Sequence, residues 1–467
     1  MTDVVQKLWG FCHVLRHDGI DYGDYIEQIT YLLFLKMAEE RGGLSVPAKY
    51  NWASLRDKSG TELQEHYVDT LRALGKEPGI LGQIYSGALS RFQNPVNLKK
   101  LISLIDELDW TSLDVDVKAA AYEGLLEKAA SEGKKGAGQY FTPRIVIDSM
   151  VRCVKPDPRG KKDFTVHDPA AGTGGFLLSA YEWLMRETKG GALDRKDAER
   201  IKHRVYTGQE LVPRPRRLCL MNLYLHGLES DIYLGDTIAE ADSGKRYDVV
   251  LMNPPFGTKG SGEAPVRDDF TISTSNKQLN FIQHVLTILK PGGRAAIVVP
   301  DNVLFEEKAA EVFEILMKDC NLHTVLRLPN GTFSPYSPGV KANVIFFQKG
   351  LPTEKTWIFD ARANVPSITK KDRPLTKEHF AEFEKAYGDN PNGTSKRVES
   401  ERFKCFTLEQ IRDRGYHLDI KWIESDEIDE DADLEPEELI EAIKESQHKI
   451  HEHLEKIQEV LNNGNGN

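Results

Sequence analysis

The stretch Tyr247-Asp-Val-Val-Leu-Met252, followed by Asn253-Pro-Pro-Phe256, constrains the fold more than any other part of this chain. Val249 to Met252 is a short apolar run, rich in β-branched residues, stopped by two prolines that cannot donate to a ladder. It reads as a buried parallel strand. At the carboxyl end of such a strand an open α/β sheet leaves a crevice in which ligands bind. There the Asn253 side chain offers a neutral carbonyl acceptor. Pro254 has no N–H to tie down, so its own carbonyl can turn toward a ligand. Two acceptors beside the aromatic face of Phe256 suit a planar, amine-bearing substrate such as adenine. Taken alone, the four residues also suit a plain strand-ending turn.

Upstream, Phe164-Thr-Val-His-Asp168-Pro-Ala170-Ala-Gly172-Thr173-Gly174-Gly175-Phe176 runs into the apolar stretch Leu177 to Met185. The pattern is strand, glycine turn, helix, the opening of a doubly wound α/β domain. Position 177 is Leu where a dinucleotide fingerprint wants its third glycine, and no G-x-x-x-x-G-K-[ST] loop occurs, which argues against a P-loop nucleotidase. A glycine turn without a phosphate signature fits a ligand with an amino-acid end, such as S-adenosylmethionine. Further strands end in acids. Arg204 to Glu210 places Glu210 where an acid can accept ribose hydroxyls, and Asp231 to Asp236 places Asp236 where it can take an adenine amine. Gly190, Gly191 and the polar stretch from Asp194 to His203 read as a helix-loop elaboration between the first two strands. Either acid by itself also suits a helix N-cap or a solvated strand end. Asp168, Glu210 and Asp236 in register before Asn253 favour the ligand reading.

The set Gln139-Tyr140-Phe141-Thr142-Pro-Arg144, Asp168 to Phe176 and Asn253 to Phe256 resembles the adenine-specific DNA methyltransferases. In this order it resembles the modification (M) subunits of type I restriction–modification systems. Leu8-Trp9 and Tyr25 to Lys36 resemble that family's helical N-terminal domain. The resemblance covers about residue 5 to Lys349, and more loosely the C-terminal helix. It implies a Rossmann-like α/β fold: a seven-stranded S-adenosylmethionine-dependent methyltransferase sheet, with an N-terminal helical domain and a C-terminal helix. It further implies that Asn253, Pro254 and Phe256 are catalytic. Gln139, Tyr140, Phe141, Thr142, Asp168, Ala170, Gly172, Thr173, Gly174, Gly175, Glu210 and Asp236 would bind S-adenosylmethionine, with no metal needed. The implied partners are double-stranded DNA, a specificity (S) subunit, a second M subunit and the motor/nuclease (R) subunit.

Length and composition agree. The 467 residues leave room for two or three domains. No signal peptide is visible and no apolar run approaches the ~20 residues of a membrane span, so the expectation is a cytoplasmic protein without a membrane partner. Five scattered cysteines (Cys12, Cys153, Cys219, Cys320, Cys405) never form C-x-x-C, which suits reduced thiols. The net charge of −11 is unusual for a DNA-binding chain, but ten acids with no Lys or Arg lie between Glu424 and Glu438, and without them the rest is close to −1. A near-neutral body predicts weak autonomous DNA binding, with most phosphate contacts supplied by a partner. The acidic run reads as a solvated linker.

Four segments are expected. Residues 1–136 are helical, with Ile26, Ile29, Leu32, Leu33 and Met37, and again Leu98, Leu101, Ile102, Ile105 and Leu108, at helical spacing. Residues 137–350 form the catalytic domain, entered through a glycine-rich basic hinge at 131–138. There Arg144 to Val154, Asn280 to Leu289 and Glu306 to Met317 read as helices. Arg294 to Pro300, His323 to Leu328 and Asn343 to Gln348 read as strands, the last two an antiparallel hairpin at one sheet edge. Gly257 to Asp269 is too polar to pack, and Gly257 to Asn276 reads as a lid over the site. Residues 351–435 are a mixed extension, ending in the acidic linker, with no readable DNA-recognition module. Residues 436–462 form an amphipathic helix with Ile440, Ile443, Gln447, Ile450, Leu454, Ile457 and Leu461 on an a/d seam, docking on a partner or on its own body. His448, His451 and His453 lie off that seam, which disfavours a metal reading.

Three rivals stay open. A glutamine methyltransferase also presents an amine to Asn-Pro-Pro, usually with Tyr following. A self-sufficient restriction–methylation enzyme would need domains for which there is no room. A scaffold could keep a cofactor pocket without catalysing.

Overall fold

Among the described residues, the helix-like spacing of the first hundred residues gives helices α1 (Tyr22–Arg41), α2 (Trp52–Arg56), α3 (Gly60–Leu74), α4 (Gly79–Tyr85) and α5 (Pro95–Asp106). Side-chain caps set two of their starts. Asn51 accepts from the Ser54 N–H, and Asn94 accepts from the Val96 N–H with Pro95 at the first helical position. Leu98, Leu101, Ile102 and Ile105 form the buried stripe of α5. Helix α1 differs from a simple amphipathic pattern: Tyr31, Phe34 and Leu35 are buried along with Ile26, Ile29, Leu32, Leu33 and Met37. A helix buried on nearly all sides, polar Gln28 and Thr30 included, sits inside its bundle.

The computed structural model describes residues 22–41, 44–107, 142–188, 193–256, 264–334, 339–369 and 372–423, together with Gly10, Trp110, Gly124, Ile440, Lys444 and Gln447. The expectations for Leu8-Trp9, Leu108, the 131–138 hinge, Gln139 to Phe141, Gly190-Gly191, the acidic run and most of the C-terminal seam lie outside these residues. Ile440, Lys444 and Gln447 are helical and exposed. Cys153, Cys219 and Cys320 are buried free thiols, and Cys405 is a partly buried one. Among the described residues, no helix is long and apolar enough to cross a membrane.

After α6 (Arg144–Val154) the chain alternates: β1 (Val166–Asp168), α7 (Gly175–Glu187), α8 (Arg195–Arg200), β2 (Tyr206–Glu210), α9 (Pro213–Leu225), β3 (Asp231–Leu234), β4 (Tyr247–Met252), α10 (Lys277–Ile288), β5 (Leu289–Pro300), α11 (Glu307–Asp319), β6 (Cys320–Arg327), β7 (Ala342–Lys349), β8 (Lys355–Asp360), α12 (Glu378–Tyr387), β9 (Phe403–Thr407) and α13 (Leu408–Asp413). The strands form one sheet in the order β3-β2-β1-β4-β5-β7-β6-β8-β9. Strands β3, β2, β1, β4 and β5 are parallel, and β7 runs antiparallel to both β5 and β6. The seven-stranded arrangement expected from the sequence is thus present, and the extension after 350 adds two strands to it. The β6–β7 hairpin is antiparallel as expected but is not at an edge, because β7 inserts between β5 and β6 and β8 then pairs parallel to β6.

Strand β4 is buried along its whole length. Its alternate residues serve opposite faces, as a period of two requires. Val249 and Leu251 join a core built from the N-terminal helices, α6, α7, α9 and α12. Val250 and Met252 join a second core with α10, α11 and α13. Strand order reverses between β1 and β4, so Asp168 and Asn253 leave the sheet on either side of its topological switch point, where open α/β folds hold their ligands.

The helical bundle is fastened to α9, the helix that follows β2. Phe34 and Tyr224 pair with ring centroids 4.9 Å apart. Arg217 Nε donates to Glu27 at 3.0 Å, Arg214 pairs with Asp24, and Arg216 donates to Gln83 Oε1 at 2.9 Å.

Candidate active site

Asn253 follows directly on Met252, which is fully buried and in register with Ile297 of β5, so its backbone is held by the sheet. Its Nδ2 donates to Thr142 Oγ1 at 2.8 Å. Its Oδ1 is buried and has no hydrogen-bond partner among the described residues. A buried carbonyl oxygen without a partner costs about 1–3 kcal/mol, and at a sheet's carboxyl edge such an oxygen is available to accept from a ligand. The next two carbonyls differ. That of Pro255 accepts from Gln278 Nε2 at 2.9 Å, fixing the turn to α10, whereas no hydrogen bond among the described residues reaches that of Pro254. Phe256 is half-buried and meets Phe333 edge-on, with centroids 6.2 Å apart and planes at 75°. The strand-ending turn and the acceptor pair are therefore the same structure.

The glycine turn sits beside this edge. Gly172 has φ +53° and donates its N–H to Glu210 Oε2 at 2.9 Å. Gly174 has φ +85°, and a Cβ there would stand 2.8 Å from Cys219 Sγ of α9, so both conformation and space demand glycine. Ala171 N–H donates to the Gln209 carbonyl, and Asn222 Nδ2 donates to the Thr173 carbonyl, which fixes the turn against β2 and α9.

Asp168 and Glu210 are both buried. Burial is the largest influence on Asp168 and pushes its carboxyl up to about 8, the Ala170 N–H opposes this, and the Glu210 charge adds to it. Burial likewise raises Glu210, against N–H donors from Val212, Gly172 and Leu211. No cation is among the influences on either acid. Two buried acids beside a glycine turn, with no internal counter-charge, fit a ligand that brings positive charge, as the ammonium and sulfonium of S-adenosylmethionine do. Asp236 is used differently: its Oδ1 accepts from the Ile238 and Ala239 N–H groups, so it caps the turn after β3. Thr237 Oγ1 in that turn donates to the Pro169 carbonyl at 2.7 Å, tying the ends of β3 and β1 together.

The lid expectation needs correction. Residues 257–263 lie outside the described residues, but the rest of Gly257–Asn276 packs. Arg267 is buried, pairs with Asp269 at 2.6 Å, donates to the Thr237 carbonyl at 2.7 Å and lies 4.1 Å above the Phe270 ring. Gln283 of α10 accepts the Ile272 N–H and donates to its carbonyl. The loop is polar, but its one arginine finds a carboxylate, a carbonyl and a ring, which is how a polar segment packs.

The structure brings together Thr142, Asp168, Ala170, Gly172, Thr173, Gly174, Gly175, Glu210, Asn253, Pro254 and Phe256 at the carboxyl edge of β1, β2 and β4, with Asp236 at the end of β3. Gln139, Tyr140 and Phe141 lie outside the described residues. Phe333, Gln278 and Asn222 were not singled out from sequence. Phe333 gives the clearest signal in retrospect, as a large aromatic within the turn residues Pro329-Asn-Gly-Thr-Phe333 that follow β6.

The N-6 DNA Methylase family matches residues 113–431, and the HsdM N-terminal domain matches residues 4–43. The chain is 38% identical to the type I restriction enzyme StySJI methylase subunit of Salmonella typhimurium (strain LT2), over 94% of this chain and 91% of that one. It is also 38% identical to the EcoKI methylase subunit of Escherichia coli (strain K12), over 95% of this chain and 94% of that one. A crystal structure of the type I restriction enzyme EcoKI M protein superposes with a TM-score of 0.56 at 34% identity, covering 100% of this chain and 97% of that one. A structure from a type I restriction–modification system superposes with a TM-score of 0.75 at 29% identity, covering 99% of each chain. These relatives set aside the glutamine methyltransferase and the self-sufficient enzyme. The chain belongs to the N-6 DNA methylases and is an adenine-specific DNA methyltransferase, the M subunit of a type I restriction–modification system, with S-adenosylmethionine as its methyl donor.

Proposed function

We propose that this subunit methylates the exocyclic amine of an adenine rotated out of the duplex, with Asn253 Oδ1 and the Pro254 carbonyl accepting the two amine hydrogens. The observation that carries this is the buried, unpartnered Oδ1 beside a carbonyl that is also free of partners among the described residues. An aromatic amine is a poor nucleophile because its lone pair is delocalised into the ring. Two acceptors on its hydrogens favour a more tetrahedral nitrogen and aim the lone pair away from the ring plane. S-adenosylmethionine supplies an electrophilic methyl on a sulfonium. As the N–C bond forms, the C–S bond breaks, the electron pair stays on sulfur, and the methylated amine sheds a proton. The protein contributes positioning and fixed dipoles. Neither acceptor can reach an adenine inside a stacked helix, so the base must leave it, and Phe256 offers the face on which it stacks.

Asp168, Glu210, Asp236, the turn Ala170–Gly175 and Gln139–Thr142 would hold the methyl donor. Glu210 retains lone pairs beyond those bonded to Gly172 and Val212. The proposed division is a helical part at 1–136, the catalytic part at 137–350, an extension and linker at 351–435, and a helix at 436–462 that docks a partner subunit. An S subunit would read the target sequence, a second M subunit would complete the methyltransferase, and an R subunit would add restriction.

Asn253→Ala and Phe256→Ala, each assembled with the S subunit, test the assignment with a tritiated methyl donor. Methyl transfer falls by about 10²-fold or more for Asn253→Ala, by analogy with the loss of one preorganised hydrogen-bonding group at a reacting centre. Donor binding is retained in both variants. Transfer at the wild-type rate in either one refutes the role given to that residue.

A further inference from the structure

A carboxamide has two unlike ends of nearly equal shape, and only one of them can accept a hydrogen bond. If Asn253 turned its NH2 toward the site, that donor would face the donor hydrogens of the substrate amine. Something must therefore set which end points inward. Thr142 bears on this: a hydroxyl can accept or donate, and here its Oγ1 takes the Nδ2 hydrogen at 2.8 Å, leaving Oδ1 as the end without a partner among the described residues. Its position is rigid. Thr142 is 9% exposed, and Pro143 next to it caps α6, its carbonyl accepting from Val146 and Ile147. Helix α6 is in turn held to α7 through Arg144, which bonds Asp148 and Glu182. Asn253 is held from the other side by β4.

We propose that Thr142 is a positioning residue whose hydroxyl locks the rotamer of the Asn253 amide with its oxygen toward the substrate amine. Thr142 then serves catalysis through Asn253 and not only the methyl donor, the role the family resemblance gives it. The proposal rests on the Asn253 reading above. It also gives a reason for the side-chain bond between Thr142 and Asn253: the amide is set by a residue that neither strand nor turn of the Asn-Pro-Pro-Phe segment supplies.

The test uses Thr142→Val and Thr142→Ser in the M–S complex, with single-turnover methyl transfer at saturating donor and DNA. Thr142→Val removes the acceptor and lowers the transfer rate at saturating donor and DNA roughly 10- to 100-fold, whatever the change in donor affinity, with DNA affinity changed less than about threefold. Thr142→Ser keeps the hydroxyl and restores the rate to within about threefold of wild type. A merely structural tie would move both variants together, and a role in donor binding alone would vanish at saturating donor. Should Thr142→Val not assemble, the serine variant still decides, because loss of rate with the hydroxyl retained overturns the lock. Asn253→Ala separates the two readings. If it transfers at the wild-type rate, the Asn253 assignment fails; if it is inactive while Thr142→Val transfers at the wild-type rate, only the lock fails.

Discussion

The carboxyl of Asp168 gives the most direct physical test of donor binding. It is 1% exposed, and its proton affinity is raised to about 8, first by burial and then by the charge of Glu210, against one N–H donor from Ala170. An ordinary aspartate titrates near 3.9, so at pH 7 the free enzyme holds this group mostly protonated. A ligand carrying ammonium and sulfonium charge favours the ionised acid, and binding must expel that proton. At pH 7 the wild-type enzyme therefore releases close to one proton per donor bound, whereas Asp168→Asn releases none from this site. Between about pH 6 and 8 the affinity rises by up to tenfold per unit, about 1.4 kcal/mol, and then stops rising. The ligand's own α-amine also titrates near 8, so affinity declines again above that, and the same decline persists in Asp168→Asn. Calorimetric titration in buffers of different ionisation enthalpy counts the protons directly. The stability of the free protein moves the other way. The folded-state value lies above the unfolded one, so the acid is neutral in both states at low pH and costs stability as pH rises from about 4 to about 8. The advantage of Asp168→Asn in thermal stability should thus grow over that window. A proton count indistinguishable between the two proteins, at every pH in the window, refutes the argument that burial without a cation poises Asp168 for a cationic ligand.

Two further outcomes follow from the geometry. Gly174→Ala faces a left-handed backbone, at about 1–2 kcal/mol, and a contact 2.8 Å from Cys219 Sγ that adds about 1–3 kcal/mol. Adding Cys219→Ala removes the second part only, so urea denaturation of the four proteins should give a coupling of about 1 kcal/mol or more, and strict additivity would show that the turn does not press on α9. The near-neutral body of the chain predicts that, in isolation, it binds duplex DNA weakly and without sequence preference. Tight, site-selective binding by the isolated subunit in a gel-shift assay would contradict that.

Much of the sheet was legible because its strands announce themselves. The run at 247–252 is uniformly apolar, and a strand covered on both faces has no polar period to hide. The glycine turn was legible for a related reason: positive φ at Gly172 and Gly174 restricts the residue type, and restriction leaves a trace in sequence. What escaped reading is non-local. Strand β8 carries Trp357, Ile358 and Phe359, as strand-like as β4, yet nothing in a single sequence says that it pairs with β6 across the intervening β7. The packing of Arg267 escaped for the same reason, since its partners Thr237 and His284 lie 30 and 17 residues away. Asp236 shows the converse. An acid at a strand end was legible, but the sequence left open whether it faces a ligand or caps the next turn, and in the free protein its Oδ1 caps the turn.

The distribution of uncompensated groups then separates scaffold from site. Elsewhere the buried charges of this sheet are paired: Arg327 with Asp360 at 3.1 Å, and Asp248 with both Lys161 and Lys290. At the carboxyl edge of β1, β2 and β4 the pattern inverts. Asp168 and Glu210 are buried with no cation among their influences, and Asn253 Oδ1 is buried with no partner among the described residues. Each of these costs stability in the free protein, and all three lie at the carboxyl ends of β1, β2 and β4 beside one switch point. A fold selected for stability alone would pair them, as it pairs Asp360. Buried polar atoms without a partner also occur elsewhere among the described residues, such as Ser149 Oγ and Tyr206 Oη, so it is the two acids without a cation that mark this edge; in the proposed reading a cationic donor offsets their cost and an amine that of the amide oxygen. In that reading the methyl donor and the adenine relieve neighbouring parts of a single frustrated edge, which would bring the electrophilic carbon and the nucleophilic nitrogen together.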